Sequence, residues 1–176
     1  MKLCMFSPRG QDLERGWPGR IEGETVIQLA AQTLQAFFTG GGQAREHAEY
    51  PLADVVFRAP VLHPPSVRIF DEAGDFVFAN PAAIKAVGED PGVQGARQVE
   101  RVAAIVGAGG AIGGFTPLVE WVAPQLEGAK QRDFALTLGP VVTTPDEEVP
   151  PGVDWERLVV HAAENTILYP GDLIVR

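Results

Sequence analysis

The sequence has 176 residues, 45% apolar and 21% charged, a balance that predicts one compact domain with a small appended lobe and excludes a disordered chain or a membrane-spanning helix. Its formal net charge of −9, with the 14 basic residues scattered among 23 acidic ones, excludes a nucleic-acid phosphate backbone as partner. Twenty Gly and 15 Pro interrupt the chain too often for a helical bundle, so short strands and turns are expected. The single cysteine, Cys4, excludes an internal disulfide and a multi-thiolate zinc site. Met1 to Phe6 is too short for a signal-peptide core, which makes the cytoplasm the expected compartment.

In chain order, Leu3 to Phe6 reads as a first strand, and Gly16-Trp17-Pro18-Gly19 as a turn. Thr25 and Gln28 have capping-box spacing, and Val26, Ala30, Leu34, Phe37 and Phe38 recur on one helical face, so a helix is expected from Thr25 to the Gly40-Gly41-Gly42 stop. Residues 43–50 are polar and read as a solvated connection, with the boundary of an N-terminal lobe near Pro51. The organisation expected is therefore a lobe over residues 1–50 and a main domain over 51–176. Beyond Pro51, short apolar runs bounded by Pro and Gly predict mixed or antiparallel strands: Val55–Phe57, Phe76–Phe78, Val102–Val106, Phe115–Val122, Leu136–Val142 and Leu173–Val175. A short helix from Asp154 or Trp155 to Ala163, with Asp154 as N-cap, and a type II turn at Tyr169-Pro170-Gly171-Asp172 complete the chain.

Val102 to Gly113 resembles the strand and glycine loop of a dinucleotide-binding unit, but the third glycine of G-x-G-x-x-G falls on Ile112, and the helix that must follow would run through Pro117 and Pro124. A strand, a glycine turn and a returning strand account for it better. His47, His63 and His161 have no metal-binding spacing. His161 and Glu164 share a helical turn, as a base and its orienting group would, and as an ordinary surface pair would more often. The runs Asp71-Glu72, Glu89-Asp90 and Asp146-Glu147-Glu148 lie among turn residues and read as solvated loops. Lys130, after Gly128 and before an apolar strand, suits an anion or a carbonyl oxygen.

Several ordered segments together resemble the fumarylacetoacetate hydrolase superfamily: Pro64-Pro65-Ser66-Val67-Arg68, Ala79-Asn80-Pro81, Val99 to Gly107, Gly114-Phe115-Thr116 with Glu120-Trp121, Lys130-Gln131-Arg132-Asp133-Phe134 running on to Leu138-Gly139-Pro140, and Leu168-Tyr169-Pro170-Gly171-Asp172-Leu173-Ile174. The resemblance covers about residues 51–176. It implies an α+β, mostly β fold, a mixed β-sheet roll with a small N-terminal lobe and few helices, usually a homodimer. It also implies chemistry on 2-oxo or 1,3-diketo acids, by C–C hydrolysis, decarboxylation or keto–enol isomerisation, with Mg²⁺ or Mn²⁺ polarising a carbonyl.

The sequence departs from that pattern at the metal ligands. Val99 and Arg101 stand where the resemblance requires two glutamates, Glu100 between them should face away by strand alternation, and Glu120 replaces an aspartate. The segment that would carry the family's histidine base is shortened after Arg68, and the chain ends at Arg176 before a substrate loop. Three readings follow. The first is a protein of this type with a degenerate metal site and no cofactor, binding a small oxo acid with weak or no hydrolysis. In it Lys130 and Asp133 are the catalytic candidates, and Arg101 and Lys130 hold the substrate, the Arg101 guanidinium supplying the charge of the absent cation. The second is an active metal-dependent hydrolase, decarboxylase or isomerase whose Mg²⁺ or Mn²⁺ sits in a rearranged cage of Asp71, Glu72, Glu100 and Glu120. The third is a nucleotide-binding module using Gly107 to Gly113.

Overall fold

A computed structural model describes residues 1–176, and the chain runs β1 (Lys2–Pro8), β2 (Trp17–Glu22), β3 (Thr25–Leu29), α1 (Leu34–Thr39), β4 (Glu46–Pro51), β5 (Val55–Arg58), β6 (Val67–Phe70) and β7 (Phe76–Ala79). It continues through β8 (Ile84–Lys85), β9 (Arg97–Val106), β10 (Ile112–Val122), β11 (Leu136–Leu138), β12 (Val141–Thr143), α2 (Trp155–Ala163) and β13 (Leu173–Val175). All thirteen strands join one sheet in the order β4-β3-β2-β1-β12-β10-β9-β13-β6-β7, with β5 on β1, β11 on β10 and β8 on β11. The pairs β13–β6 and β11–β8 are parallel and the other ladders antiparallel, so the sheet is mixed and the fold mostly β with two short α-helices, as expected. Neither helix is long and apolar enough to cross a membrane.

The long β9–β10 hairpin is the spine of the sheet. Side chains alternate across it. Ala103 and Ile105 enter a twenty-residue core shared with β1, β6, β11, β12 and β13, whereas Ala104 and Val106 face the other way, onto Trp155, Leu158 and Ala162 of α2. One cluster drawing on strands so far apart in sheet order means that the sheet curls around it, and α2 covers the outer face. Helix α2 begins as expected, with the Asp154 side chain accepting a hydrogen bond from Arg157 N–H at 3.0 Å. Tyr169 to Asp172 closes its turn, with Asp172 N–H donating to Tyr169 C=O at 2.9 Å and Gly171 at φ 94°.

Four local expectations are corrected. Residues 25–29 are strand, not helix: the β-branched Thr25, Val26 and Ile27 favour a pleated surface and pair with β2, and the helix is confined to α1, capped by Thr33, whose Oγ accepts from Ala36 N–H at 3.0 Å. The polar stretch before Pro51 is not a loop but β4, polar because it is a terminal strand exposed except at Tyr50, which packs on Phe6 and Trp17. The turn expected at Gly16–Gly19 gives way to β2 at Trp17; Gly19 lies within the strand because a Cβ there would stand 2.5 Å from Val26 and 2.8 Å from the Phe6 ring. The run Leu136–Val142 is two strands, broken by Gly139 at φ 94° and a cis Gly139–Pro140 peptide.

The glycine segment forms a tight connection of Ala108–Gly110 between two strands, and Ile112–Val122 returns as β10. A dinucleotide pyrophosphate needs a helix N-terminus at that place. No helix follows, and the nucleotide reading fails on that ground.

Cys4 lies on β1 in a small cluster with Phe6, Val26 and Val55, and burial pushes its thiol up to about 12 from 9.0. The fold thus favours the neutral thiol: the stability this contributes is fully present below about pH 9 and is lost as pH rises towards 12. Native protein at pH 8 is expected to resist Ellman's reagent and to release one equivalent of thiol only in denaturant; stoichiometric reaction of the native chain within minutes would contradict this packing.

Candidate functional site

Strand alternation decides which side chains meet. In the β9–β10 ladder Arg101 pairs with Leu118 and Val99 with Glu120, and the one register shift lies far away between Ile112 and Gly114. Val99 and Arg101 therefore share a face with core residues Ala103 and Ile105, and Glu120 shares it with Leu118. Arg101 and Glu120 are diagonal neighbours, and Arg101 Nε donates to Glu120 Oε2 at 2.8 Å. Arg132, from the loop after β10, donates through Nε to Glu120 Oε1 at 2.6 Å, with Nη2 equally close. Glu120 is 1% exposed, Arg101 18% and Arg132 45%, so a buried carboxylate is held between two guanidiniums that keep contact with solvent.

Beside this triad is a cavity of about 170 Å³, walled by Ile69, Val77 and Phe78 on one side and by Glu120, Arg132 and Asp133 on the other. Asn80 joins the two sides by donating from Nδ2 to Asp133 C=O at 2.9 Å. Lys130 lies on the short 3₁₀ turn Gly128–Gln131, and its Nζ is 2.7 Å from Asp133 Oδ2. A larger groove of about 750 Å³ runs beside the exposed loop side chains Asp12, Glu14, Arg15 and His63, away from the residues singled out from the sequence.

Glu120, Asp133, Lys130 and Arg101, singled out from the sequence, thus fall in one neighbourhood; Asp71, Glu72 and Glu100 do not join it. Asp71 closes the β6–β7 turn, its Oδ1 accepting from Gly74 N–H at 3.0 Å and Asp75 N–H at 3.1 Å. Glu72 is exposed in the same turn, and Glu100 is exposed on the face of β9 opposite Arg101. The four-carboxylate cage is therefore not assembled, and no three His, Cys, Asp or Glu side chains converge as cation ligands. At the position the resemblance assigns to a divalent ion, Glu120 has both oxygens committed to guanidiniums, the other two ligand places hold Val99 and Arg101, and the second carboxylate of the cavity, Asp133, is paired with Lys130. These residues do not fit a hard cation, which takes several oxygen ligands. His161 and Glu164 form a surface pair on α2, Nδ1 to Oε2 3.1 Å, outside the cavity.

Arg132 was missed by sequence reasoning. Its only local signal is its place in Lys130-Gln131-Arg132-Asp133, and its role depends on a loop folding back onto β10.

No protein-family model and no curated protein matches the chain. Solved structures do match, at low identity. Maleylpyruvate hydrolase from Sphingobium sp. SYK-6 superposes with a TM-score of 0.79 at 18% identity, covering 99% of this chain and 87% of that one; a second structure of that enzyme, with manganese(II) and pyruvate, gives 0.77. 2-Hydroxyhepta-2,4-diene-1,7-dioate isomerase from Mycobacterium marinum gives 0.74 at 19% identity, covering 99% and 86%. A 2-keto-3-deoxy-D-arabinonate dehydratase complexed with magnesium and 2,5-dioxopentanoate gives 0.71 at 17%, again covering 99% and 86%. The chain has the fold of the fumarylacetoacetate hydrolase superfamily.

Removing one partner of a buried ion pair strands the others. Glu120→Gln is expected to cost about 3 kcal/mol in urea unfolding, the low end for a buried pair because both arginines are partly solvated. Arg132→Ala, which leaves the Arg101 contact in place, should cost about 1 kcal/mol. Equal, negligible losses in both variants would contradict the triad.

Proposed function

We propose that this chain binds a small 2-oxo or 1,3-diketo acid in the cavity beside Glu120 without a divalent cation, and that it hydrolyses such acids weakly or not at all. The observation that carries the reading is the Arg101–Glu120–Arg132 triad, where two fixed positive charges surround one negative charge and leave a net charge of +1 beside an apolar wall. A guanidinium has five N–H donors, and Arg132 spends only those facing Glu120, so its exposed edge is free to hold a carboxylate in two parallel hydrogen bonds. At ~30 Å³ per water the cavity holds the volume of about six waters, the scale of a short keto acid. Ligands of that class occur in two of the similar structures, with pyruvate in one and 2,5-dioxopentanoate in the other.

The same residues argue against efficient hydrolysis. Attack on a carbonyl needs an activated water and a stabilised oxyanion. No histidine lines the cavity, and the Glu120 oxygens already accept from two arginines. Apart from Arg132, which this reading assigns to the acid's carboxylate, Lys130 is the nearby cation that could meet a developing oxyanion, tethered to the cavity through its pairing with Asp133. In this reading Arg132 binds the acid, Arg101 fixes Glu120, and Lys130 with Asp133 steadies the polar end.

Calorimetric titration of the chain with pyruvate or oxaloacetate in excess chelator tests this. Saturable binding with Kd near or below about 1 mM is expected, lost in Arg132→Ala and retained in His161→Ala. Absence of binding, binding that Arg132→Ala leaves intact, or rapid acylpyruvate cleavage in chelator would overturn the proposal.

A further inference from the structure

The cavity beside Glu120 has a charged side and an apolar side, and the charged side has room for one carboxylate. Around it Arg101, Arg132 and Lys130 face Glu120 and Asp133, so three positive charges meet two negative ones and leave +1. One bound carboxylate neutralises that charge, and a second turns the site net negative. Lys130 cannot take up the second without giving up Asp133, whose Oδ2 lies 2.7 Å from its Nζ.

The opposite side is built by the β6–β7 pair. Ile69 pairs with Val77 and Val67 with Ala79, so alternation puts Ile69, Val77 and Ala79 on one face, and all three line the cavity. Phe78 points the other way from the same strand and closes the rim, its ring held 5.1 Å from the buried Arg68 guanidinium. The one polar side chain here, Asn80, is already tied to the backbone, Oδ1 accepting from Ala82 N–H at 3.0 Å and Nδ2 donating to Asp133 C=O at 2.9 Å. Ile69 is buried but Val77 is 57% exposed, so the fold leaves part of this wall wet. An alkyl group laid on it removes apolar surface from water, whereas a carboxylate there loses its hydration and gains no donor.

We infer, on the basis of the oxo-acid binding proposed above, that the preferred ligand is a 2-oxo monocarboxylic acid with a branched apolar tail, its carboxylate on Arg132 and its tail on Ile69, Val77 and Ala79. Dicarboxylic oxo acids are selected against. Two small acids isolate the difference: 4-methyl-2-oxopentanoate and oxaloacetate share the carboxylate, the keto group and the methylene, and then end in an isopropyl group in the first and a carboxylate of similar shape in the second.

Calorimetric titration of the full chain in excess chelator with these two acids and with pyruvate is the test. The branched acid is expected to bind at least tenfold tighter than either of the others. Val77→Lys, at an exposed position and with unchanged circular dichroism, puts a cation on the wall and is expected to make oxaloacetate the tighter ligand of the pair. Val77→Thr, which keeps the shape of the side chain and adds a hydroxyl, covers the case in which Val77→Lys fails to fold, and is expected to lower the preference for the branched acid at least threefold. Binding of oxaloacetate within about threefold of the branched acid, with both lost in Arg132→Ala, would overturn this selectivity and leave the oxo-acid reading standing. A preference that the folded Val77 variants leave unchanged would likewise overturn it, and no binding of any of the three acids would overturn both.

Discussion

A carboxylate with 1% of its surface in water must be paired, and in this chain the pairing of Glu120 organises everything around it. Glu120 faces inward because Leu118, two residues earlier, belongs to the core; Arg101 reaches it because β9 and β10 run in unbroken register over that stretch; and Arg132 reaches it because the loop after β10 folds back. The contact ties the hairpin to the segment bearing Lys130 and Asp133. It also sets the electrostatics of the adjoining cavity, placing two guanidiniums around its one buried carboxylate.

Replacing an ion by guanidiniums changes what a site can do. A divalent cation binds an anion, polarises a carbonyl and lowers the pKa of bound water. Guanidinium binds anions and donates hydrogen bonds but stays protonated, so it neither generates hydroxide nor takes a proton. Guanidiniums in place of a cation keep the means to bind an anion and lack the means to activate water, which is the chemistry behind the proposed binding without hydrolysis. One fold hosts many activities, so it is these side chains and not the shared fold that decide the chemistry.

Much of the architecture was legible in the sequence because it is locally encoded. Strands bounded by Gly and Pro, the Asp154 cap, and the turn at Pro170-Gly171 each depend on neighbours within a few residues, and the order of several short motifs identified the mixed sheet. What failed depended on distant partners. Thr25 to Phe38 has helical periodicity, but pairing with β2 draws its β-branched start into the sheet. Residues 46–51 look like a loop in composition because a terminal strand needs no apolar face. At the site, the inward direction of Arg101 and the outward direction of Glu100 followed from alternation alone. The Arg101–Glu120 contact was also available, from the register of a hairpin closed at Gly107–Gly110. Arg132 was not, since its partner lies twelve residues away across an irregular loop.

Binding of an oxo acid without a cation requires that Arg101 and Arg132 hold Glu120 so completely that no oxygen cage remains for a hard cation. Titration of the chain with Mn²⁺, followed by the loss of the free-ion electron paramagnetic resonance signal, addresses it directly. No saturable binding is expected up to about 1 mM, in the wild-type chain and in Glu120→Gln alike. Stoichiometric binding at about 10 μM that disappears in Glu120→Gln would contradict it.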